Sequence, residues 1–153
     1  MVSDSRPVTH LHHARVMVID DQMDTIDLIR SLLISEVGVA YCGARPSGAA
    51  FFSWLRTSGL VRAQPHIGNL DLILLDILLA HEDGFTLLPQ LRALPELHRT
   101  RIVALSSSTD SAVIQRVRLA GFDGLLGKPI AIQPFPNQIR RLLNGEMVCD
   151  IPC

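Results

Sequence analysis

Val16-Met17-Val18-Ile19-Asp20-Asp21 is a short apolar run that ends on two acids. Such a run, bounded by polar residues, reads as a strand buried on both faces, the kind found inside a parallel sheet. Two further stretches repeat the pattern. Leu70 to Leu75, broken only by Asp71, ends on Asp76, and Gly124-Leu125-Leu126-Gly127 ends on Lys128-Pro129. In an open α/β sheet, ligands and chemistry gather at the carboxyl ends of the strands. Three carboxylates and an ammonium at one such edge form a site for a divalent cation and a phosphoryl group.

Outward from these runs, strand-like and helix-like patterns alternate five times. Ala14–Asp20 is the first strand, and Met23 to Ser35 is a helix with Ile26, Ile29 and Leu33 at helical spacing. Val37–Cys42 reads as the second strand and Ser47 to Arg56 as the second helix. Residues 58–69, with Gly59, Pro65 and Gly68, form a loop about ten residues longer than connections of this kind usually are. Leu70–Asp76 is the third strand, and Gly84 to Leu94 a helix with Pro89 as an irregularity. Arg101–Leu105 is the fourth strand, followed by a helix that Ser108 or Thr109 caps and Gly121 stops. Gly124–Gly127 is the fifth, and Phe135, Ile139, Leu142 and Leu143 mark a last helix ending near Gly145. Strand followed by helix, repeated in this way, predicts α/β architecture: a five-stranded parallel sheet with helices on both faces.

At 153 residues the chain suits one domain large enough to bury its own core. Residues 1–13, with His10, His12 and His13, read as a flexible leader, 14–145 as the domain and 146–153 as a short tail. A net charge of −1 with 19% charged residues argues against a nucleic-acid partner. No apolar run approaches the roughly 20 residues of a membrane span, and the N-terminus lacks a signal peptide's apolar stretch. The odd number of cysteines, at 42, 149 and 153, points to free thiols and a cytoplasmic location.

Taken together, these residues resemble the response-regulator receiver family, the CheY-like domains of the flavodoxin-like (βα)5 fold. The resemblance runs from Arg15 to Leu143 and is carried by Ile19-Asp20-Asp21, Asp76, Asp83-Gly84, Ser106 and Lys128-Pro129, in that order. It implies that Asp76 accepts a phosphoryl group from a phosphohistidine on a sensor histidine kinase or histidine phosphotransfer protein. It implies further that Asp21 and Asp76 coordinate Mg²⁺ directly, Asp20 through a water, and Leu78 through its backbone carbonyl. Ser106 and Lys128 would contact the phosphoryl oxygens, and Lys128-Pro129 would be a cis peptide. A downstream protein would read the face made by helix four, strand five and helix five, with neither nucleic acid nor membrane as partner. Chemistry supports these roles independently. A carboxylate is a competent nucleophile for an aspartyl phosphate, and Mg²⁺ takes one or two carboxylates together with water and phosphate oxygens. Crowded without metal, the three carboxylates should raise at least one pKa.

The chain also departs from the family pattern. Leu79-Ala80 stand where Met-Pro is usual, Leu125 where an aromatic ring is common, and Ser106-Ser107 where threonine and a small apolar residue are common. Without a ring at 125, the response to phosphorylation is expected to rest on Ser106 and the loop after it. Leu78 and Ser108 would border the path of a hydrolytic water, and the apolar Leu78 should slow it. The chain ends about ten residues after the last helix and is read as a stand-alone receiver, a pattern that a fragment of a larger hybrid protein shares. Two other classes are compatible with the pattern: a receiver-like scaffold that is never phosphorylated, and a flavodoxin-like redox protein. In the latter, Asp20, Asp21 and Asp24 would repel a cofactor phosphate. A haloacid-dehalogenase-type phosphatase needs an acid where Leu78 stands.

Overall fold

A computed structural model describes residues 11–60, 70–108 and 110–149. The strands are β1 (Arg15–Ile19), β2 (Tyr41–Arg45), β3 (Leu72–Asp76), β4 (Arg101–Ser106), β5 (Gly124–Gly127) and β6 (Val148–Cys149). The helices are α1 (Met23–Leu32), α2 (Gly48–Leu60), α3 (Gly84–Arg92), α4 (Ser111–Ala120) and α5 (Phe135–Leu143). All strand pairs are parallel, in the order β2-β1-β3-β4-β5-β6. None of the described helices is long and apolar enough to cross a membrane.

Successive strand side chains point to opposite faces, and because helices cover both, the strands are apolar at almost every position. Val16, Val18, Leu72, Leu74, Val103 and Leu105 pack with Ile26 and Ile29 of α1 and Phe135, Ile139 and Leu142 of α5. Met17, Ile19, Ile73, Leu75, Ile102 and Ala104 pack on the other face with Phe51 of α2, Leu87 and Leu91 of α3, and Ile114 and Val117 of α4. Strand order reverses between β1 and β3, which sit side by side while their following elements lead in opposite directions. That switch point leaves a crevice at the carboxyl ends of the two strands.

Four local expectations are revised. The second strand is not Val37–Cys42 but Tyr41–Arg45, because Leu33–Val37 continues α1 as a wider π turn. That turn closes with the Gly38 amide donating to the Leu33 carbonyl (2.8 Å), and Gly38 takes the left-handed conformation (φ 79°). Val37 looked like strand because it is β-branched and buried; it is buried against the core from a helical turn. The cap of α4 is Asp110, whose carboxylate accepts from the Ala112 amide at 3.0 Å, while Ser108 Oγ accepts from the Asp110 amide. Two residues of the expected tail, Val148 and Cys149, form a sixth strand beside β5. Of the expected leader, Leu11–His13 makes a 3-10 turn whose Leu11 packs on the core. Residues 1–10, most of the 58–69 loop, and Thr109 and Cys153 lie outside the described residues.

Candidate functional site

Asp20 follows β1 and Asp76 ends β3, so the switch point sets the two carboxylates side by side. Ser106 ends β4, and Lys128 directly follows β5, just before the Lys128–Pro129 bond, which is cis as expected. Lys128 is held there by its amide, which donates to the Ser106 carbonyl at 2.8 Å. Its Nζ reaches back over the sheet edge and donates to Asp20 Oδ2 at 2.9 Å and to Asp76 Oδ2 at 3.1 Å. All three side chains are buried, Asp20 completely. Asp21 is exposed beside them, and one oxygen each from Asp20, Asp21 and Asp76 lie within 4.8 Å of one another.

The backbone fixes these carboxylates. Asp20 Oδ1 accepts from the Gln22 amide at 2.8 Å, and Asp76 Oδ1 accepts from the Leu78 amide at 2.9 Å. Asp21 Oδ2 accepts from the Ala80 amide, at 2.9 Å, tying the loop after β3 to the end of β1. That loop is pinched by pairing of Leu78 with Asp83 and by the Gly84 amide donating to the Ile77 carbonyl. A β-carbon on Gly84 would lie 2.7 Å from Ile77 Cα and 3.0 Å from the Asp76 carbonyl oxygen, so glycine is needed for α3 to start this close to the site.

Burial pushes the Asp76 carboxyl above the usual carboxylate range; the Leu78 amide and Lys128 oppose the shift, and the Asp20 charge adds to it. The expected rise is present, but loss of solvation drives it more than crowding of like charges. Burial lowers the Lys128 ammonium, yet the two carboxylates outweigh it and the net shift is upward. Lys128 therefore stays charged at neutral pH. The balance is three carboxylates against one ammonium, with Asp20, Asp76 and Lys128 buried and Asp21 open to water.

The response-regulator receiver domain model matches residues 16–140. The chain belongs to the response-regulator receiver family. Fimbriae Z protein of Salmonella typhimurium is 36% identical over 75 residues, 49% of this chain and 35% of its own length. Hybrid signal transduction histidine kinase D of Dictyostelium discoideum is 27% identical over 133 residues, 84% of this chain and 8% of its own. The chain thus spans well under half the length of these relatives. The chemotaxis response regulator CheY4 of Vibrio cholerae superposes with a TM-score of 0.69 at 18% identity, over 85% of this chain and 98% of its own. A Thermotoga maritima response regulator gives 0.69 at 20%, over 86% and 98%. At such identities the superpositions speak for the fold.

In this receiver, Asp20, Asp21, Asp76 and Lys128 come together as the sequence predicts. Ser106 is buried at the same edge, but its hydroxyl is engaged with its own loop, accepting from the Ser108 amide (3.1 Å) and donating to the Ser108 carbonyl (3.3 Å). The Leu78 backbone lies beside Asp76 through its amide, and its side chain projects outward, 77% exposed. Sequence reasoning missed Glu82, whose Oε1 accepts from the Gly48 amide at 2.9 Å and so joins the loop after β3 to the start of α2. No local signal marks such a contact, because its partners are 34 residues apart. Asp83, quoted only as part of a motif, caps α3 by accepting from the Phe85 amide at 2.7 Å. Asp83-Gly84 ahead of an apolar helix was the available sign of that cap.

Proposed function

We propose that this receiver works in a two-component system or phosphorelay, with Asp76 accepting a phosphoryl group from a phosphohistidine of a sensor histidine kinase or histidine phosphotransfer protein. The observation that carries the proposal is the buried Asp76 carboxylate held between the Lys128 ammonium and two further carboxylates. An Asp76 oxygen attacks phosphorus, a P–O bond forms, the P–N bond breaks, and the imidazole leaves as the neutral ring after taking up a proton. The family generally binds Mg²⁺ at an acidic pocket, and this donor set suits that ion. Asp20, Asp21 and Asp76 place one oxygen each within 4.8 Å of one another, where they would hold the ion. In the proposal Asp21 and Asp76 would hold the ion directly, Asp20 through a water, and Leu78 through its carbonyl. Mg²⁺ supplies neutralisation of the charge on the transferring oxygens.

Lys128 moves its second hydrogen bond from Asp76 Oδ2 to a phosphoryl oxygen, keeping its first on Asp20. Ser106 must turn its hydroxyl away from Ser108 to reach the same group, which makes that loop the segment that responds. A protein target reading α4, β5 and α5, and a cytoplasmic location alongside the phosphodonor, complete the proposal. Intact-mass measurement after treatment with acetyl phosphate tests it. One phosphoryl mass is expected on the wild type with Mg²⁺ and none on Asp76→Asn. A wild type that never labels, the outcome for a purely scaffolding receiver, or labelling that persists in Asp76→Asn, overturns it.

A further inference from the structure

The loop between β3 and α3 carries two groups on which the cation site depends: the Leu78 carbonyl, and the Ala80 amide, which donates to Asp21 Oδ2 at 2.9 Å. The loop's shape is set from within. Leu78 pairs with Asp83, the Leu79 amide donates to the Glu82 carbonyl at 3.2 Å, and the Gly84 amide donates to the Ile77 carbonyl at 3.1 Å. Such bonds close the loop on itself without fixing where it sits over the sheet edge. Bonds to other elements do that. On one side Ala80 is tied to Asp21, at the end of β1. On the other, Glu82 Oε1 accepts from the Gly48 amide at 2.9 Å, at the start of α2.

The bond between Glu82 and Gly48 suits an anchor. Gly48 opens α2, where amides without helical partners favour a carboxylate, and Ser47 Oγ accepts from the Ala50 amide at 3.0 Å in the same turn. A β-carbon on Gly48 would run into Leu87 Cδ2 and lie 2.7 Å from Glu82 Oε2, so the bare position lets the carboxylate come close. Behind the loop lies a cavity of about 570 Å³, lined by Ala49 and Phe52 of α2, Thr86 and Gln90 of α3, and His81 and Glu82. Side chains do not fill that space, and the hydrogen bond spans it. Glu82 stands outside the group formed by Asp20, Asp21 and Asp76, so it is not itself a ligand. We propose that Glu82 is a positioning residue for the cation site: anchored on α2, it holds the loop so that the Ala80 amide orients Asp21 and the Leu78 carbonyl faces the ion. Oxygens set in place beforehand need no further ordering when a cation binds. The inference rests on reading the acidic edge as a Mg²⁺ site.

The test is calorimetric titration of the full chain with Mg²⁺, beside amide exchange of the metal-free protein. Glu82→Ala should bind Mg²⁺ about fivefold more weakly than the wild type, less than the roughly 10–100-fold lost when a group bonded directly to a ligand is removed. Glu82→Gln keeps an oxygen that can accept from the Gly48 amide and should bind within about twofold of the wild type. Without metal, the Ala80 amide should exchange at least about threefold faster in Glu82→Ala, because the loop opens more often. Wild-type affinity or wild-type Ala80 exchange in Glu82→Ala overturns the proposal. So does a Glu82→Gln as weak as Glu82→Ala, which would assign the effect to charge, and so does a Glu82→Ala that no longer melts cooperatively, which would assign the residue to the fold. A wild type that binds no Mg²⁺ overturns the metal reading itself and this inference with it. A wild type that binds Mg²⁺ and labels on Asp76, with Glu82→Ala unaffected, overturns this inference alone.

Discussion

The two ends of the sheet both carry buried or half-buried charge, and they use it in opposite ways. At the amino ends of the strands, Asp71, Asp123, Arg92 and Arg101 are spent on the backbone or on an opposite charge. Asp71 Oδ2 accepts from the Arg15 amide at 2.8 Å. Asp123 Oδ2 accepts from the Ile102 amide and from Arg92 Nη2, while Arg92 also donates to the carbonyls of Thr100 and Gly121. Arg101 donates to the Leu142 and Asp123 carbonyls. At the carboxyl ends, Asp20, Asp21 and Asp76 face a single ammonium, and the surplus is negative. A fold gains nothing from an uncompensated buried carboxylate. The amino end is a set of clamps, and the carboxyl end carries the surplus of negative charge on which the proposed cation and phosphoryl site rests.

Removing the Lys128 ammonium should have the largest effect. Lys128→Ala leaves Asp20 and Asp76 buried and unpaired, which should cost about 3 kcal/mol in metal-free urea unfolding. Added Mg²⁺ should recover part of that by binding the folded state; an unchanged urea midpoint would mean that the pair carries no such load. Next in size is the lifetime of the phosphorylated state. Leu78 stands 77% exposed at the rim, and Leu78→Asn should speed dephosphorylation roughly tenfold, about 1.4 kcal/mol in the barrier, with little change in Mg²⁺ affinity. Decay that stays the same or slows removes Leu78 as the determinant.

A smaller change is expected at the clamps. Arg92→Ala loses contacts that are about one-third exposed, so roughly 1 kcal/mol of stability should go while acetyl phosphate labelling stays at the wild-type level. A labelling defect there would blur the contrast between the two ends. The smallest effect is a pH dependence. Asp76 has a folded-state pKa raised above 3.8, so it holds a proton more readily folded than unfolded. Its contribution therefore favours folding as pH falls through the raised value towards 3.8, and disfavours it above. Metal-free wild type should accordingly be less stable than Asp76→Asn near pH 7 and close the gap towards about pH 4; parallel curves would mean that Asp76 does not feel its burial.

Much of this was legible before any coordinates. Buried parallel strands are apolar on both faces, so each acid or lysine closing such a run stood out, and β5 and α5 fall where the pattern put them. What escaped had no periodic signal. Val37 carries the same side chain whether it is buried from a strand or from a π turn. Ser108 and Asp110 both offer an oxygen to an open helix end, and only the path of the loop decides which one caps. The sixth strand has two described residues, too few for any alternation to show. Ser106 was legible in position, but not in the direction of its hydroxyl, which depends on a neighbour's backbone.

The π turn after α1 is, in terms of chain length, one residue more than a regular helix end requires. Its closing bond spans five residues, from the Leu33 carbonyl to the Gly38 amide, and the loosened Glu36 carbonyl is taken by Arg140 of α5 at 2.6 Å. Chain can be lost here without turning the helix that precedes it. Deleting exposed Ser35 converts the turn to the four-residue closure of an α-helix and leaves Ile26 and Ile29 facing the core. Deleting exposed Asp27 swings Ile29 by about 100° off its face. The first variant should melt cooperatively and the second should not, and the reverse outcome would show that the extra residue holds the helix end in place.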